Sequence, residues 1–205
     1  MRAILRPMNV FLERPLSAAS RGIVLLGLVA LLAGGVLPLW RIRLVAPQYQ
    51  EGLTLVMYSH AIAAGNGGQD LAEINTLNHY IGMKPIVEAD FAEMTWMPFA
   101  IGILALLTLR AVVIGRMHHL VDLGVLFFYF GMFSMATFAY RLWSYGHHLD
   151  PHAPMRIAPF TPIVLGRQQI ANFVQSSLPM TGTACMGLFL ASIVAGIWLS
   201  RREAW

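Results

Sequence analysis

Met57-Tyr58-Ser59-His60 sets a thioether three residues before an imidazole, and Asn78-His79-Tyr80-Ile81-Gly82-Met83 sets an imidazole four residues before a thioether. Soft sulfur with borderline nitrogen suits Cu(I). His79 and Met83 share one face if a helix runs that far, and His60 and Met57 would complete the site. The bland reading stands beside this one. Met commonly fills irregular gaps, and a surface His often does no more than hydrogen-bond. A second cluster, Gly146-His147-His148-Leu149-Asp150-Pro151-His152, offers three imidazoles and a carboxylate. His147, His148, His152 and Asp150 form a donor set for Cu(II) or Zn(II). The competing reading is a polar loop above lipid headgroups.

The composition decides which solvent these groups meet. Of 205 residues, 57% are hydrophobic and 12% charged, against about 25% charged in soluble domains. A soluble domain of this length would need more charge to cover its surface. The net charge of +4 follows from basic residues at membrane ends. No Lys/Arg run with interleaved aromatics suggests nucleic acid. The single cysteine, Cys185, excludes an intramolecular disulfide, a Cys-x-x-Cys pair and a Cys-x-x-Cys-His haem attachment.

Four apolar segments are each long enough to cross a bilayer, which takes about 20 helical residues. They are residues 22–40, 97–115, 120–140 and 178–199. The chain therefore reads as one membrane domain, residues 1–205. Residues 1–21 are a cytoplasmic or interfacial stretch with Arg2, Arg6, Arg14 and Arg21, and an apolar stripe of Ile4, Leu5, Met8, Phe11 and Leu12. Residues 41–96 and 141–177 are long loops. The termini and the 110–119 turn hold eight of the fourteen Lys and Arg. The positive-inside rule then places both termini in the cytoplasm and both loops in the periplasm of a bacterial inner membrane. Trp40, Trp96, Trp143 and Trp198 fall near segment ends, as an aromatic belt requires. Reporter fusions after Gly67 and Ala158 should score periplasmic, and one after Arg202 cytoplasmic. A periplasmic C-terminal reporter would remove the four-span arrangement.

The predicted fold is an all-α integral membrane protein: four transmembrane helices, both ends inside, and two structured periplasmic loops. In loop one, Leu53–Tyr58 reads as extended, Asn66-Gly67-Gly68 as a turn, and Asp70 onward as a helix closed by Gly82 and Pro85. Loop two, with Pro151, Pro154, Pro159 and Pro162, reads as extended, then briefly amphipathic around Ile170 and Phe173. Small residues in segments three and four, including Gly124, Gly182, Gly187 and Gly196, predict close helix contacts. Gly187→Leu is expected to force helices apart.

Other chemistries find little footing. No histidine lies mid-segment, so no haem is predicted. No convincing midplane ionisable group marks a transport path. Arg110 and Asp122 lie near the cytoplasmic ends. No Ser/His/Asp set, phosphate loop or carboxylate pair suggests an enzyme. Glu88, Asp90 and Glu93 read as a solvated edge, with Glu93 beside Met94 a further donor.

The string Glu73-Ile74-Asn75-Thr76-Leu77-Asn78-His79-Tyr80-Ile81-Gly82-Met83 resembles a segment of small bacterial membrane proteins associated with nitrous oxide reductase maturation and similar periplasmic copper systems. Leu149-Asp150-Pro151-His152-Ala153-Pro154, followed by Pro159-Phe160-Thr161-Pro162 and Gly166, is similar to the same pattern. The resemblance covers under half the chain. It implies an accessory role in copper delivery or electron supply, with His79 and Met83 as the positions carried over. The expected function is a membrane accessory factor for a periplasmic metalloenzyme, handling copper. The alternatives are a non-catalytic subunit of a respiratory complex that docks a periplasmic partner, and a small transporter.

Overall fold

The computed structural model describes residues 10–170 and 172–202. The interfacial stripe expected over residues 1–9 lies outside them. In chain order the elements are α1 (Ala18–Val36), β1 (Trp40–Ala46), β2 (Tyr49–Met57), β3 (Ile62–Ala64), α2 (Gln69–Tyr80), α3 (Ala92–Ile114), α4 (Met117–His147), β4 (Gly166–Ile170), β5 (Phe173–Pro179) and α5 (Thr181–Arg202). Four of them, α1, α3, α4 and α5, are long and apolar enough to cross a membrane. The chain divides into two compact units. A helical unit comprises the chain up to Gly35, Pro98–Met132 and the chain from Ala184; a sheet unit comprises Val36–Met97 and Phe133–Thr183.

In the helical unit, α1 buries Ser20, Val24, Gly27, Leu28, Leu31 and Gly34. That recurrence is one helical face. Leu26, Val29, Phe99, Leu106 and Val113 are exposed. A continuous apolar exterior on helices of this length is the surface hydrocarbon covers. Inside, polar groups are paired. Ser20 Oγ donates to Gly196 O at 2.9 Å, and Thr108 Oγ1 to Leu104 O at 2.7 Å. Phe127 and Phe189 meet edge to face at 4.9 Å.

Close approach occurs at glycines other than Gly187. A Cβ on Gly27 would lie 1.8 Å from Ser192 Oγ, and one on Gly196 would lie 3.0 Å from both Ser20 Oγ and Val24 Cγ2. A Cβ on Gly187 would meet nothing within 4 Å. The helix-contact expectation for Gly187 is corrected accordingly: among the described residues, nothing lies where its side chain would be. Gly187→Leu should leave the detergent melting temperature of the protein unchanged. Gly27→Leu should destabilise it by about 2–3 kcal/mol, the scale of overpacking. Equal effects would contradict this assignment.

The all-α expectation is corrected by the sheet unit. It holds a five-stranded sheet in the order β3-β2-β1-β5-β4, with antiparallel pairing throughout. β1 alternates outward Arg41 and Arg43 with inward Ile42 and Leu44, the period of a half-buried strand. Ile42 faces Leu55 on β2 and Ser177 on β5. Leu53, Leu55 and Ile74 form the core, flanked by Ile42, Leu44, Ile62 and Leu77. Of the extended run of loop one, Leu53–Met57 lies within β2 while Tyr58 falls just past it, and its helix is α2. The amphipathic stretch expected around Ile170 and Phe173 is instead the β4–β5 hairpin. Buried Asp70 lies in the first turn of α2, its carboxylate accepting the Thr54 N–H and the Asn66 amide, each at 2.7 Å. This ties the helix N-terminus to β2.

Candidate functional site

The segment from Glu73 to Met83 ends α2 with a clamp built from two asparagines. Asn75 Oδ1 accepts the Ile86 N–H at 2.7 Å, and its Nδ2 donates to Ile86 O at 3.1 Å. Asn78 is buried, with Nδ2 directed at Lys84 O at 3.5 Å. An amide side chain both donates and accepts, so Asn75 alone can hold both backbone groups of one residue. Gly82 then reverses the chain at φ 77°, a conformation that favours glycine.

Loop two docks on this reversal. Asp150 N–H donates to Gly82 O at 2.8 Å, and Met155 N–H to Tyr80 O at 2.9 Å. A Cβ on Gly82 would sit 2.8 Å from Asp150 O and 2.9 Å from Asp150 N. The two strings that carried the resemblance thus form one joint. Asp150 closes a local turn, with Oδ1 accepting the His152 N–H at 2.8 Å and lying 3.3 Å from His152 Nδ1. The Asp150 carboxyl is held below its ordinary value, first by the His152 backbone N–H. The His152 side chain and the His79 ring add to this, against a desolvation penalty.

The candidate ligands separate by chemistry. Met57 and Met83 both line an apolar cavity of about 130 Å³, with Leu55, Ile74, Leu77 and Phe138 also in its wall. His60 and His79 are exposed and are not among the lining residues. His60 lies against Tyr58, ring centroids 5.7 Å apart. His147 ends α4 and His148 follows it; their Nδ1 atoms approach Trp143 O at 2.9 Å and Ser144 O at 3.0 Å. Both rings satisfy helix-end carbonyls, and His147 stacks on Trp143 at 4.7 Å. Among the described residues no three His, Cys, Asp or Glu side chains converge as a metal-binding group.

Four polar side chains line the cavity, and each has a protein partner. Beside Asn78, Gln175 donates to Ile163 O at 3.4 Å and Tyr145 to Pro85 O at 3.5 Å. Arg141 makes a bidentate pair with Glu93, Nε to Oε1 at 2.9 Å and Nη2 to Oε2 at 2.7 Å. Its guanidinium also lies over the Phe91 ring at 4.8 Å, a cation–π arrangement. Glu93 is therefore a structural partner rather than part of a solvated edge. Spacing did not single out Arg141, because its partner lies 48 residues away. The spacing of Asn75 and Asn78 was visible, but their partners are backbone groups beyond the helix.

Comparison with known families, characterised proteins and solved structures returns no match.

Proposed function

We propose that this multi-pass membrane chain is a non-catalytic accessory factor that presents copper to a periplasmic metalloenzyme. The presenting surface would be the joint between residues 79–83 and 149–155. The observation that carries the reading is the joint itself: backbone bonds at Gly82 and Tyr80 bring His79 into the field of Asp150, which already holds His152. Two imidazoles and a carboxylate suit Cu(II) or another borderline divalent ion. His152 and Asp150 side chains are 90% and 63% exposed, free to turn toward an ion. Met83 belongs to the cavity wall, which favours this nitrogen–oxygen set over a thioether site.

Purified full-length protein should take up one Cu(II) per chain. His79→Ala and His152→Ala should each weaken uptake about tenfold or more, as loss of one ligand does. Met83→Leu, nearly conserving volume, should change Cu(II) uptake little. A ligating imidazole must be unprotonated, while Asp150 is already ionised. Uptake should therefore fall as pH is lowered, because protons compete with the ion for its nitrogen ligands. Parent protein that takes up no copper would leave the joint as a docking surface for a partner subunit, the alternative reading.

A further inference from the structure

We infer that the cavity of the sheet unit holds the terminal carbons of one hydrocarbon chain of a membrane lipid. Its volume, about 130 Å³, is close to the ~150 Å³ of an engineered apolar cavity that stays dry and takes up benzene. The walls come from one face of the sheet, from α2, from the end of α4 and from loop two. They are aliphatic and aromatic, and Met57 and Met83 supply unbranched, adaptable side chains.

The polar members decide the class of ligand. Asn78, Arg141, Tyr145 and Gln175 are each bonded to a protein partner. Among the described residues no buried side-chain nitrogen or oxygen lacks a partner. Each polar side chain of the wall is thus already engaged by the protein, and the rest of the lining is apolar, so the cavity is a poor match for a sugar, a nucleotide or a lipid headgroup. A polar ligand would lose its water and gain nothing in return. The Arg141 charge is matched by Glu93, so no free cation invites an anion. What remains favourable is burial of hydrocarbon.

The source of that hydrocarbon follows from the same chain. Helices long and apolar enough to span a bilayer keep lipid tails at the protein surface at high local concentration. One of them, α4, supplies Phe138, Arg141, Leu142 and Tyr145 to the cavity wall. The inference is independent of copper, since neither His79 nor His152 lines the cavity.

The test uses the full chain in nanodiscs of phosphatidylethanolamine and phosphatidylglycerol, a fraction of the lipid carrying a diazirine at the acyl terminus. After illumination, peptide mapping should find adducts at Leu55, Ile74 or Leu77, as well as on lipid-facing Leu26 and Val29. Met57→Trp fills the cavity from β2 and Leu77→Trp from α2. Each should lower adducts at Ile74 about tenfold, the effect of a tenfold affinity loss, with Leu26 and Val29 labelled as before. Adducts confined to the helical unit of the parent would overturn the inference. So would labelling of Ile74 that persists in both tryptophan variants. Labelling by a free diazirine fatty acid in detergent but not by nanodisc lipid would also overturn it.

Discussion

Gly82→Val should lower the stability of the sheet unit by about 3 kcal/mol, the sum of left-handed strain on a β-branched residue and steric overlap. The backbone there has φ 77°, which costs an L-residue about 1–2 kcal/mol. The new Cβ would also lie 2.8 Å from Asp150 O and 2.9 Å from Asp150 N. Those atoms are backbone and cannot rotate aside. The joint would open, losing the Asp150–Gly82 and Met155–Tyr80 bonds. Hydrogen exchange should show this directly, with the Asp150 and Met155 amides exchanging far faster while the Leu55 amide inside β2 changes less. A variant that melts like the parent with both amides protected would show that the joint is not as close as described.

Glu93→Ala should cost about 2–3 kcal/mol, less than the 3–5 kcal/mol for breaking a fully buried pair, because these side chains keep some solvent contact. Glu93 and Arg141 are 15% and 27% exposed. Removing the carboxylate strands a guanidinium that cannot lose its proton in an apolar wall. The double variant Glu93→Ala/Arg141→Leu should recover most of the loss, since a hydrophobic replacement for an ion pair is often neutral. A double variant as unstable as the single one would place the cost in packing rather than in the unpaired charge. Thermal melts of all three proteins in one detergent measure it.

The four long helices were legible because apolar runs of bilayer length carry a strong signal. Their ends were less so: the third segment was expected to stop at residue 140, and α4 continues to His147. Amphipathic residues past Tyr140 keep it helical by packing Arg141, Leu142 and Tyr145 into the sheet unit. β1 was hidden because Trp40 looked like the end of a span and its alternation is short. β5 was hidden for a different reason. Its buried positions are Gln175 and Ser177 while Val174 is exposed, the reverse of the usual pattern. Ser177 is satisfied by accepting from Trp40 Nε1 at 2.7 Å and donating to Val164 O at 2.7 Å. Those partners are invisible in a linear chain. The site residues were half legible. Imidazoles and thioethers were named by type, but the separation of Met57 and Met83 from His60 and His79 depends on the packing of β2, of α2 and of the turns that follow them.

The strand order has a consequence for the order of synthesis. β1 lies in the middle of the finished sheet, between β2 and β5. Its partner β2 is made at once, but β5 emerges roughly 130 residues later, which at ~5–20 residues per second takes about ten seconds. For that interval β1 is an edge, with seven residues of backbone open to any other strand. Charged side chains are the usual guard on such an edge. Arg41 and Arg43, exposed on the far face from the core, protect a strand that becomes central only once β5 has been made.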